Sequence, residues 1–149
     1  MLILFSSKKG FTLFELFLVI GIMVILLSFL LPVGLSFYKE QQLASQSLEL
    51  CRILRIAQQK SMSVDLDSSY GVYLTNQNYT LFKGNSFLSR DEPYDQIFNV
   101  PEIIQLSGIS EVVFSKNDGN PNVTGDIILT CDLDSKTINI NQIGRINPD

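Results

Sequence analysis

From Leu16 to Tyr38 the chain runs 23 residues without a charge, LFLVIGIMVILLSFLLPVGLSFY. A helix rises about 1.5 Å per residue, so this run is roughly 34 Å long, enough to cross a bilayer core about 30 Å thick. Helix is also the open-ended backbone that satisfies its own hydrogen bonds in lipid. The pattern then changes. From Lys39 to Ser63 there is no Gly or Pro, and Leu43, Leu50, Leu54 and Ala57 recur at helical spacing, with Leu48, Cys51 and Ile53 widening the stripe. A one-sided stripe needs a covering surface, so the expectation is a helix over 39–63 packed on a sheet. Arg52, Arg55 and Lys60 fall on its other faces.

Beyond Tyr70 the period shortens to that of strands. YGVYLTN and YTLFK read as a hairpin, followed by QIFNV, EIIQL, SEVVFS, DIILTC, KTININ and a short end near Gly144–Ile146. The turn-forming stretches KGNSFLSRDEP, SKNDGNPNVTGD and DLDS separate them. One long helix followed by six or seven short strands predicts an α+β chain, with an apolar helix at 11–38 continuing into an antiparallel head over 39–149: helix 39–63, sheet 70–146.

Composition explains an imbalance. The chain is 46% hydrophobic and 17% charged, below the roughly 25% charged of ordinary soluble domains. The deficit is local, because Lys8, Lys9 and Glu15 are the only charges before Lys39. With no His, Ser-His-Asp and Cys-His nucleophile systems are excluded. Two cysteines cannot make a Cys-only structural zinc site within one chain. The net charge of −4 weighs against polyanion binding.

Glu15 decides between readings of the N-terminus. A cleaved secretory signal has an apolar core of about 7–15 residues and a small-residue cleavage site, and this run is longer with no such site after it. A plain signal anchor, with Lys8 and Lys9 on the cytoplasmic side, accounts for the run but not for a carboxylate at its edge, which costs several kcal/mol near the bilayer core unless paired or protonated.

The stretch KKGFTLFELFLVIGIMVILLSFLLP resembles the N-terminus of type IV pilins and pseudopilins. Lys8 and Lys9, Gly10, the aromatic Phe11, then Thr12, Leu13, Glu15 and Leu16 carry the likeness, followed by an uncharged run that Pro32 interrupts. Phe14 departs from it, since family members usually carry Ile there, and the leader, residues 1–10, is short. The resemblance implies cleavage after Gly10 by a prepilin peptidase and N-methylation of the new N-terminus, Phe11. Loss of Lys8 and Lys9 takes the net charge from −4 to −6. It also implies that Glu15 pairs in a filament with the Phe11 amine of a neighbouring subunit, and that Pro32, lacking an N–H, loosens the helix during assembly.

In the head, SLELCRILRIAQQKSM before SYGVYL, then VVFSKNDGNPN, GDIILT and KTININQIGRI, resemble minor pseudopilins of the GspH/FimT type. The implied protein is a non-enzymatic structural subunit without cofactors. It sits in the cytoplasmic membrane with its head outside, and is then assembled into a type II secretion pseudopilus or type IV pilus for protein secretion. Its partners are other pilins, the prepilin peptidase/N-methyltransferase and an assembly platform. The rival reading is a DNA-binding minor pilin for natural transformation. After cleavage the chain has 9 basic and 15 acidic residues, which weighs against that rival.

Three further constellations lie in the head. Asp118, Asn120, Asn122, Thr124 and Asp126 place oxygens at alternate positions, like the start of a calcium loop, but Val123 stands where that loop needs Gly and Leu129 where it needs Glu. A plain polar turn is the simpler expectation. Asp91, Glu92 and Asp95 read as a solvated loop. Cys51 and Cys131 are expected to be two buried small hydrophobes, although a disulfide between them is permitted outside the cytoplasm if their Cα atoms come within about 4.4–6.8 Å.

Overall fold

A computed structural model describes residues 10–63 and 68–148, the side chains of 30–33 excepted. The chain divides into two compact units, residues 1–38 and 39–149. Among the described residues one helix, α1 (Leu13–Met62), contributes to both, and eight strands follow it, giving an α+β layout.

In the first unit α1 is apolar on every side and none of its membrane-length window is buried, with mean hydropathy 3.0. Phe14, Phe17, Met23 and Phe29 are all more than 60% exposed. Among the described residues one helix is thus long and apolar enough to cross a membrane.

In the head α1 is one-sided. Leu43, Leu50, Cys51, Ile53, Leu54 and Ala57 are buried. Leu48, expected to widen the stripe, is instead 64% exposed. At 3.6 residues per turn it lies about 160° around the helix from Leu50, on the far side.

The strands form two four-stranded antiparallel sheets rather than one. The first has the order β3-β2-β1-β5, from β1 (Tyr70–Leu74), β2 (Asn78–Lys83), β3 (Gln96–Asn99) and β5 (Glu111–Phe114). The second has the order β4-β6-β7-β8, from β4 (Gln105–Gly108), β6 (Gly125–Cys131), β7 (Asp134–Ile140) and β8 (Ile146–Pro148). Alternate residues of both sheets, Tyr70, Val72 and Leu81 from one and Ile127, Leu129 and Ile138 from the other, join the helix stripe in one core.

The expected strand EIIQL begins three residues late. Ile104 N–H bonds Pro101 O in a turn, and Ile104 is a buried plug ahead of β4 rather than part of it. The expected turn DLDS shrinks to Asp132-Leu133, with Asp132 at φ 53° as the first turn residue and Cys131 paired to Asp134.

Side-chain hydrogen bonds tie the helix to the strands. The buried Ser61 hydroxyl accepts the Tyr70 N–H (2.9 Å) and donates to Ala57 O (3.0 Å). Gln58 Nε2 donates to Gly119 O (3.0 Å) and Gly144 O (3.1 Å), both in turns with positive φ.

The outer face of the first sheet has its own cover. Residues 84–95, which overlap the turn-forming stretch expected at 83–93, fold over it through single 3-10 turns at Phe87–Ser89 and Glu92–Tyr94. Phe87 stacks on Tyr73 (4.0 Å between ring centroids) and meets Phe82 edge-on (5.6 Å). Beneath this cover Phe82 is wholly buried across the ladder from Gly71. A methyl at Gly71 would lie 2.5 Å from the Phe82 ring and 2.8 Å from Val112 O. Overpacking of this kind costs about 1–3 kcal/mol. Gly71→Ala should therefore lower the unfolding free energy of the detergent-solubilised chain, measured by urea titration, by that amount, and pairing it with Phe82→Leu should recover part of the loss.

Burial, and then the Glu49 carboxylate, push the Tyr79 phenol from its ordinary 10 up to about 12. The folded chain thus favours the neutral phenol. The stability this contributes is intact below pH 10 and drains away as pH rises from about 10 to 12. Urea unfolding across that range should fall more steeply in the wild type than in Tyr79→Phe.

Candidate functional site

The residues singled out at the N-terminus gather around the first turn of α1. Thr12 precedes Leu13, the first helical residue, and its hydroxyl accepts the Glu15 N–H at 3.2 Å. That is the first half of a capping box: T-x-x-E with the acid at the third helical position. Of the four amides a helix start leaves without helical partners, one is satisfied here by a side chain. Glu15 stands where the positive end of the helix dipole favours a carboxylate. The T-x-x-E signature at 12–15 was available in the sequence, and reading Glu15 only as an intruding charge passed over it.

Gly10 and Phe11 lie outside the helix, and Phe11 is 80% exposed. Residues 1–9, including Lys8 and Lys9, lie outside the described residues. Pro32 falls within α1, whose helical assignment continues through it. Having no N–H, it leaves the Ser28 carbonyl without its helical donor. The Ser28 hydroxyl in turn donates to Val24 O at 2.8 Å.

The head sends the other candidates to separate places. Cys51 and Cys131 are free thiols, both buried in the common core, and burial pushes the Cys51 thiol up. Asn122 Oδ1 accepts the Val113 N–H (2.8 Å) while the Asn122 N–H donates to Val113 O (2.8 Å), so the residue acts as a one-residue strand closing the edge of β5. Asp126 accepts from Asn139 Nδ2 (2.6 Å) across the β6–β7 ladder. The Asn120 N–H donates to Ser115 Oγ (3.2 Å). Of the would-be calcium ligands, Asn122 and Asp126 thus serve turn and ladder hydrogen bonds. Among the described residues no three His, Cys, Asp or Glu side chains come together to hold a metal.

In the stretch Asp91–Asp95 the first four residues are exposed, as expected of a solvated loop, while Asp95 is drawn inward. Arg90 Nε donates to Asp95 Oδ2 (2.7 Å), its Nη2 lies 3.5 Å from Glu92, and its guanidinium sits 4.0 Å from the Phe87 ring centroid. Asp95 is only 14% exposed. A cleft of about 480 Å³ beside this cover is walled in part by Asn85, Ser86, Ser110, Glu111 and Asn122. Its carboxylate, Glu111, accepts the Phe87 N–H at 2.9 Å.

No family model, curated protein or solved structure matches the chain.

Loss of an N-cap hydroxyl costs a helix about 1 kcal/mol, a factor of about five in an opening equilibrium. Thr12→Val should speed amide exchange at residues 13–15 by about that factor in detergent micelles, and Thr12→Ser should leave it unchanged.

Proposed function

We propose that this chain is a structural minor pilin or pseudopilin. It is made as a precursor in the cytoplasmic membrane, cleaved after Gly10, methylated at Phe11 and assembled through α1 into a secretion pseudopilus or pilus. The observation that carries this reading is where the helix starts. The Gly10–Phe11 bond lies before it in exposed backbone, two residues ahead of a capped first turn bearing Glu15. A peptidase must draw its substrate out extended, and a bond just before a helix is open to that while one inside it is not.

Cohesion in the filament comes from the apolar surface of α1, at roughly 0.8 kcal/mol per buried methylene. Lipid already covers that surface, so the net gain on leaving the bilayer is much smaller. Register then depends on a directional contact. The cleaved Phe11 supplies an ammonium, and Glu15 of a neighbouring subunit supplies the carboxylate to pair with it.

Mass spectrometry of the chain from sheared filaments should find N-methylated Phe11 as the first residue. Glu15→Ala should still reach the membrane fraction but be lost from filaments. An intact Met1 in the mature protein, or normal filament incorporation of the variant, would overturn the reading.

A further inference from the structure

The two tightest reversals of the second sheet lie at opposite ends of the head. The β6–β7 turn is fixed at one end, where Lys39 Nζ meets Asp132 Oδ2 at 2.5 Å. The β7–β8 turn is fixed near the other, where Gln58 Nε2 bonds Gly144 O. Lys39 and Gln58 are 19 residues apart on one helix, about 28 Å along its axis. Each turn carries an apolar residue at its tip: Leu133, which is 101% exposed, and Ile143, which is 73% exposed.

Single exposed apolar residues are ordinary. Leu133 is set apart by its place. Turn tips favour Gly, Asn, Asp or Ser, and Leu has no conformational reason to be there. It follows Asp132, which the Lys39 ion pair holds, and Lys39 follows directly on Tyr38, the last residue of the uncharged run. Side-chain and backbone lengths keep the Leu133 Cα within roughly 15 Å of that of Lys39. Phe37 and Tyr38, both 61% exposed, are residue types that favour a membrane interface. The ion pair also means that Asp132 can approach a low-dielectric surface with a partner.

We propose that the β6–β7 turn is a lipid-facing contact of the head, with Leu133 lodged at the boundary between headgroups and acyl chains of the bilayer that α1 enters. Asp134, exposed beside it, stays in headgroup water and limits the depth. The contact is apolar rather than basic, so it belongs to a zwitterionic surface and needs no anionic lipid. It gives the head a second foothold while the subunit waits in the membrane, and assembly must release it. The proposal rests on the reading of α1 as a membrane helix.

The chain contains no Trp, so single-Trp variants report one site each. Leu133→Trp, Ile143→Trp and Phe29→Trp would be made in the full chain and reconstituted in phosphatidylcholine vesicles with and without lipid brominated high on the acyl chain. Leu133→Trp should emit to the blue of Ile143→Trp and lose most of its emission to the brominated lipid, while Ile143→Trp keeps its own. An unquenched Leu133→Trp beside a quenched Phe29→Trp would overturn the proposal and leave the membrane helix standing. Equal quenching at 133 and 143 would also overturn it, since the head would then lie on the lipid without a preferred end. An unquenched Phe29→Trp would remove the membrane reading itself and the proposal with it.

Discussion

The head is organised by the need to cover one stripe of α1. Leu43, Leu50, Leu54 and Ala57 line a helix face that water would penalise, and no single four-stranded sheet covers it. Two sheets share the task, each contributing every second residue of its strands to the same core. The polar fasteners follow from this arrangement. Ser61 and Gln58 sit at the end of the stripe, where turns from both halves of the strand region arrive, and they bond the backbone groups those turns would otherwise leave without protein partners. Lys39 plays a similar part at the other end, where Asp132 and its hydrogen-bonded partnership hold the Lys39 ammonium in its charged form.

The outer face of the first sheet is organised differently. A sheet with apolar residues on both faces needs a second cover, and Phe82 makes that need plain because it pairs with Gly71 and points away from the common core. The cover is a stack: Tyr73, then Phe87, then the Arg90 guanidinium, with Asp95 holding the guanidinium in place. The stack accounts for a short irregular stretch keeping a fixed shape. Hydrogen bonds such as Asp91 N–H to Lys83 O and Arg90 Nη1 to Phe87 O shape the stretch, and the aromatic contacts pack it on the sheet.

Periodicity made the helix stripe, the uncharged run and most strands legible in the sequence, because 3.6-residue and 2-residue repeats follow directly from which faces are buried. It failed where burial is decided by distant partners. Leu48 was assigned to the stripe by its apolar character, although its angle on the helix already placed it outside. The cover at 84–95 was read as a turn because Gly, Asn, Ser and Pro dominate it. Its order comes from Phe87 and Arg90 meeting Tyr73 and Asp95, contacts that no local pattern encodes. The division into two sheets was illegible for the same reason. Strand order depends on pairing across the core, and β3 and β4, neighbours in sequence, end up at edges of different sheets.

At the N-terminus, sequence and structure bear on the same residue in different ways. In the sequence, Glu15 is a charge where lipid disfavours one. In the structure it also belongs to the helix start, with its N–H bonded to Thr12 and its position favoured by the helix dipole. The two descriptions are compatible. A carboxylate at the head of an apolar helix faces the positive end of the helix dipole, which one farther along does not. On the proposed reading, a carboxylate at that position in an apolar setting favours a cation that can reach it. In the proposed filament that cation is the cleaved N-terminus of another copy, four residues before the same glutamate.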